Sequence, residues 1–212
     1  MRTIQDLLFV SFDLYSRHSC RAIMLIISIT GTLGAGKGTI VEYLQSKGFM
    51  HYSVREFILR EVTRRGLEPN RDNITLVAND LRKSNSPYYL IEEILKVARK
   101  ENKNCVIESV RAVGEIEYLR KNVKNFLLFG IDADIQKRYE RISARKSSTD
   151  NVSFEKFVAD EKKESDNIDP WKGNLPACLK LADYIFQNNG TKEELFAEVE
   201  KVLEKTSTVG VR

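Results

Sequence analysis

The chain reads as an α/β protein, a mainly parallel sheet with helices on both faces, and three observations predict it. An apolar run, Leu25-Ile26-Ile27-Ser28-Ile29, feeds into a glycine-rich turn and then a helix-like segment from Ile40 to Lys47. Short apolar runs of strand length then alternate with amphipathic stretches of helical period along the rest of the 212 residues. No repeat, low-complexity stretch or linker splits that alternation, so one domain is expected over residues 24–205 with a flexible tail at 206–212. Strands that alternate with helices are joined by crossovers, which makes them parallel and covers both faces of the sheet.

The first turn is Gly31-Thr32-Leu33-Gly34-Ala35-Gly36-Lys37-Gly38-Thr39. Glycines let successive backbone N–H groups converge on an anion, and the helix after the turn adds the positive end of its dipole. A plain strand-to-helix turn would account for Gly31 and Gly34 but not for Lys37. Strand, glycine turn, lysine and helix in this order mark residues 31–39 as a nucleotide phosphate-binding loop, with Lys37 as the cation for the outer phosphates.

Beyond it, Ile40, Val41 and Leu44 form a helix face that Gly48 stops, and Phe49-Met50-His51-Tyr52 reads as a second strand. Ser53 is a candidate cap for a helix carrying Phe57, Ile58 and Val62, which Gly66 and Pro69 punctuate. Ile74, Val77 and Leu81 mark the next helix. Ser86-Pro87 then predicts the start of another, which buries Leu90, Ile91, Ile94, Leu95 and Ala98. Cys105-Val106-Ile107, Phe126 to Ile131 and Tyr184-Ile185-Phe186 are the remaining strands, with a crossover helix around Ile116 and Leu119. Thr191-Lys192-Glu193-Glu194 matches a capping box, and Leu195, Val199, Val202 and Leu203 give the last helix its apolar face.

Composition narrows the class. Apolar residues make up 42% and charged residues 30%, as in a soluble globular protein. A net charge of +4, spread along the chain, suits an anionic small molecule and does not call for nucleic acid or a membrane. Cys20, Cys105 and Cys178 are far apart and odd in number, which argues against disulfides or zinc and for a reducing, cytoplasmic setting. Residues 1–23 fit poorly with the α/β pattern of the rest of the chain. Asp6 and Asp13 break their apolar piece, so neither a membrane span nor a signal peptide is expected from them. Arg2, Arg17 and Arg21 give them a faint organelle-targeting flavour, and the expectation is a dispensable extension before Met24.

With these residues in view, the loop resembles that of the nucleoside monophosphate kinases, adenylate kinase especially, where glycine and threonine often come after the lysine as Gly38 and Thr39 do here. Val106-Ile107-Glu108-Ser109-Val110-Arg111 is similar to the strand end of that family that places an acidic residue and a phosphate-binding arginine. Arg138-Tyr139-Glu140-Arg141-Ile142-Ser143-Ala144-Arg145 resembles the helix that supplies arginines to the transferred phosphoryl group. Ala182 to Thr191 resembles the closing strand and base-contacting loop of these kinases and of dephospho-coenzyme A kinases. The later segments also resemble the kinase-like region attached to some deoxycytidylate deaminases. The deaminase zinc motif is missing, which excludes deamination.

The resemblance implies a three-layer sandwich with a five-stranded parallel sheet in the order 2-3-1-4-5. It also implies an acceptor-binding region at 53–100 and a lid at 143–169. It implies ATP and magnesium as cofactors and a small phosphorylated acceptor, with nothing in the pattern to fix an oligomeric state. Lys37, Arg111, Arg141 and Arg145 become the candidate catalytic residues, and Asn189 and Gly190 candidate donor-base contacts. Ser53, Arg55, Arg82 and Arg111 are candidates for the acceptor. Arg138, Arg141 and Arg145 recur on one helix face, with Arg138 ranked last, and guanidinium forks suit phosphoryl oxygens.

Gly38 occupies the position of the usual hydroxyl ligand, so magnesium is expected through waters and Glu108, which stands where an aspartate is more familiar. The coenzyme A enzymes offer an aspartate after the second strand. This chain has His51-Tyr52-Ser53-Val54-Arg55-Glu56 there, which favours a nucleoside or deoxynucleoside monophosphate over a ribose hydroxyl. A catalytically weak nucleotide sensor is the rival from another class.

Overall fold

The computed structural model describes residues 24–145, 152–165, 169 and 171–209. The expected extension at 1–23 and residues 210–212 lie outside them. Five strands form one parallel sheet: β1 (Ile26–Gly31), β2 (Met50–Ser53), β3 (Cys105–Glu108), β4 (Phe126–Asp132) and β5 (Tyr184–Gln187). Their order is β2-β3-β1-β4-β5, as the resemblance implied. Among the described residues the helices are α1 (Lys37–Ser46), α2 (Val54–Arg64), α3 (Arg71–Ser84), α4 (Tyr89–Glu101), α5 (Val113–Asn122), α6 (Ile135–Ala144), α7 (Phe154–Ser165), α8 (Leu175–Lys180) and α9 (Lys192–Val209).

β1 shows why the sheet lies in the middle of the molecule. All six of its residues are buried, because both faces are covered. Ile26 joins a core built with α2, α3, α4 and α5, and Ile27 and Ile29 join a second core under α1 and α9. Cys105 and Cys178 are buried free thiols that desolvation pushes up to about 12, so they pack as small hydrophobes. No helix among the described residues is long and apolar enough to cross a membrane.

Local chemistry sets the element ends. Ser53 accepts from the Glu56 N–H at 3.2 Å and starts α2. Thr191 and Glu194 exchange bonds at 3.2 and 2.8 Å to start α9. Ser86-Pro87, read as a helix start, instead forms a turn in which the Tyr89 N–H reaches the Ser86 carbonyl, so α4 begins at Tyr89. α9 runs to Val209, through the region expected to be tail. α8 is an element that the sequence pattern did not predict. Asn174 caps it by accepting from the Ala177 N–H at 3.0 Å, and Pro176 lies in its first turn.

Candidate functional site

The strand ends Gly31, Glu108 and Asp132 lie side by side at the carboxyl edge of β1, β3 and β4, where ligands bind in open α/β sheets. The loop between β1 and α1 crosses that edge. Gly34 and Gly36 have φ of +80° and +103°. A Cβ there would lie 2.5 Å from the Arg138 carbonyl oxygen and 2.2 Å from the Asn188 amide nitrogen. Only glycine lets the chain pass so close. Gly36 is also the N-cap of α1 and contributes no side-chain cap, so the first-turn N–H groups of α1 face the loop.

Side chains from within the loop and from distant segments hold it in shape. Asn188, at the end of β5, donates to the Ala35 carbonyl at 2.7 Å. Thr32 donates to Asp132 at 2.7 Å, and the same carboxylate oxygen accepts from the Ala133 N–H at 2.9 Å. The Lys37 ammonium folds back over the loop and donates to the Gly31 and Thr32 carbonyls, each at 2.8 Å. Asn188 and Asp132 are not among the residues that the sequence pattern singled out. An acidic residue closing the apolar run of β4 was the available signal for the second.

The arginines separate. Arg138, ranked last of the three from sequence, is more deeply placed than Arg141 or Arg145. It is 6% exposed and donates to the Ala133 carbonyl at 2.8 Å and the Leu33 carbonyl of the loop at 3.4 Å. Glu161 of α7 takes the outer edge of the same guanidinium. Arg141 Nη2 donates to the Asn188 carbonyl at 2.9 Å. Its Nη1 is buried without a hydrogen-bond partner among the described residues. Arg145 is exposed at the C-terminal end of α6.

Of the residues expected at the acceptor, Arg111 is half-buried and lines a cavity of about 80 Å³ with Thr32, Leu33, Arg71, Asp160 and Glu161. Arg55 is exposed on the first turn of α2. Arg82 departs from its expected role. It is 3% exposed and donates twice to Glu115 Oε1, at 3.0 and 2.8 Å. Glu115 Oε2 accepts from the Arg111 and Ala112 N–H groups, each at 3.1 Å, so Arg82 secures the turn that carries Arg111.

Glu108 ends β3 and accepts from the Ser53 hydroxyl at 3.0 Å, with His51 Nε2 at 3.8 Å. Burial alone would push its carboxyl up. The neighbouring His51 and Ser53 and the Lys37 charge outweigh that and hold it below the usual carboxylate value. The next residue, Ser109, has φ of +67°, a strained backbone at the turn towards Arg111. Asn189 and Gly190, expected at the donor base, follow β5. Asn189 accepts from the Asp134 N–H at 2.8 Å, and Gly190 lies against Glu194.

Residues 27–169 match the family model described as an AAA domain. The UPF0200 protein of Pyrobaculum aerophilum is 30% identical over 179 residues, covering 84% of this chain and 96% of the relative. The UPF0200 protein of Thermococcus kodakarensis is 28% identical over 186 residues, covering 85% and 97%. Among solved structures, TT1252 of Thermus thermophilus superposes with a TM-score of 0.59 at 18% identity, over 86% of this chain and 98% of that one. Shikimate kinase of Bacteroides thetaiotaomicron superposes with a TM-score of 0.57 at 13% identity, over 85% and 99%. Identities this low establish a shared fold.

Proposed function

The chain belongs to the AAA-domain family and carries a phosphate-loop kinase fold, and from that premise we propose that it transfers a phosphoryl group from ATP to a small phosphorylated metabolite, a nucleoside or deoxynucleoside monophosphate by preference. The observation that carries this reading is Arg141 Nη1, buried with no partner among the described residues, beside the Asn188–Ala35 clamp of the loop. A buried cationic donor with no acceptor is costly, and an anion seated at the loop relieves it.

The donor phosphates lie against the loop amides and the N-terminus of α1, with Lys37 turning from the Gly31 and Thr32 carbonyls to the outer phosphates. Arg111 receives the acceptor anion, and its backbone is fixed by Glu115. In the transfer, the bond between the terminal phosphorus and the ADP oxygen breaks as one to an acceptor oxygen forms. Arg141 and Lys37 meet the charge that spreads over the phosphoryl oxygens. Magnesium fits the donor set: Glu108 is held ionised, Asp132 flanks β1 on the other side, and hard oxygen ligands with retained waters suit that ion. Bound there, it would neutralise charge on the donor phosphates.

Glu108 also supports a second reading. An ionised carboxylate beside Ser53 could take the proton of a hydroxyl acceptor, as dephospho-coenzyme A transfer requires. The deciding experiment measures ADP release with a panel of monophosphates, with dephospho-coenzyme A and with no acceptor. Turnover that depends on one monophosphate supports the first reading. Turnover that depends on dephospho-coenzyme A supports the second, and binding without turnover overturns both.

A further inference from the structure

Arg138 is placed to touch a donor, yet its outward edge is already taken. Its Nε points inward to the Ala133 carbonyl, and Nη1 lies 3.4 Å from the Leu33 carbonyl at the outer turn of the loop. Both terminal nitrogens pair with Glu161, Nη2 at 3.1 Å. A carboxylate and a phosphate address a guanidinium through the same two-pronged geometry. Two anions cannot share one fork without strong repulsion. The segment that brings Glu161 is α7. It lies on α6 through Phe157, which sits 5.6 Å below the Arg138 guanidinium, and through Phe154 and Phe157 against Tyr139. The adjacent Asp160 turns to Arg71 of α3, at 3.9 Å.

Resting on the donor reading above, we propose that Glu161 is a specificity-determining residue of the donor site. Its carboxylate holds the Arg138 guanidinium, so a nucleotide engages that arginine only when its phosphate reaches the outer turn and displaces Glu161. Inner phosphates sit over the loop amides and the helix N-terminus, whereas the terminal one extends outward. Glu161 therefore acts against a triphosphate more than against a diphosphate, and it exchanges a protein carboxylate for the phosphate about to be transferred. Glu161 is the ionic tie of α7 to α6, beside the aromatic contacts of Phe154 and Phe157, so the same exchange removes that tie and loosens α7.

The test uses the full chain, ADP and a non-hydrolysable adenosine triphosphate analogue, with affinities from titration calorimetry and hydrogen exchange read over α7. Glu161→Gln is expected to tighten the analogue about three- to tenfold and ADP by less, since a charge-assisted pair no longer competes. The analogue is expected to speed amide exchange across Phe154–Ser165 in the wild type, a reading that stands even if the variant folds poorly. Glu155→Gln removes an exposed charge from the first turn of the same helix and should leave both affinities within about twofold of wild type. The proposal is overturned if Glu155→Gln gains as much as Glu161→Gln, if Glu161→Gln tightens neither ligand, or if α7 exchange ignores the analogue. In each of these cases binding that still needs Lys37 leaves the donor reading standing. A wild type that binds neither nucleotide, or a Lys37→Ala variant that binds both unchanged, removes the donor reading and the proposal with it.

Discussion

The two sides of the carboxyl edge are held in different ways. On the donor side the loop is fixed through its backbone. The Asn188 amide reaches the Ala35 carbonyl, Asp132 holds Thr32, and Gly34 and Gly36 pass where no Cβ fits. On the proposed acceptor side, α2 and α3 are joined at the surface by ion pairs, with Arg65 bridging Glu61 and Asp80. A buried charge pair, Arg82 with Glu115, lies underneath. A donor phosphate is common to every nucleotide, so a backbone cradle serves it. An acceptor differs from enzyme to enzyme, and side chains that can be exchanged one at a time suit that task.

Breaking the buried part of the acceptor side should cost most. Arg82→Met strands the Glu115 carboxylate and is expected to lower stability by about 3–5 kcal/mol, seen in urea unfolding. A loss below about 1 kcal/mol would mean that the pair does not hold the Arg111 turn. On the donor side, Lys37→Ala is expected to leave the fold intact and cost about 3–4 kcal/mol in transition-state stabilisation, read as kcat/KM. Asn188→Ala tests whether the backbone is what matters there. It leaves the buried Ala35 carbonyl without its donor and should cost about 1–3 kcal/mol, together with weaker ADP binding.

The smallest effect concerns pH. The folded-state pKa of Glu108 is depressed, so its contribution is full above the ordinary glutamate value and is lost as pH falls through the lowered one. The stability difference between wild type and Glu108→Gln should then be present at neutral pH and vanish in acid. A difference that grew in acid would reverse the assigned sign.

The same contrast explains what could be read from the sequence. β1, the loop and α1 are contiguous, so residues 26–46 declared themselves through composition and spacing. The caps at Ser53 and Thr191 are local too, and both formed as expected. Arg82 reads from sequence as a ligand contact because its partner is 33 positions away, and no local pattern marks a buried pair. Arg138 ranks below Arg141 from sequence because the helix period shows a shared face but not which end of that face meets Leu33 and Glu161. α8 was within reach: an asparagine followed two residues later by proline is a helix-start signal, hidden there by the brevity of the element.

The distance along the chain between the loop and its supports bears on how the protein is made. Asp132 lies 100 positions beyond Thr32, and Asn188 lies 153 beyond Ala35. On a ribosome, the glycine turn emerges long before either support, and parallel strands so far apart in sequence close slowly. The loop's two long-range supports are both in place only in a sheet that holds β4 and β5. A ligand bound to the loop would therefore favour the completed sheet over any partly assembled one.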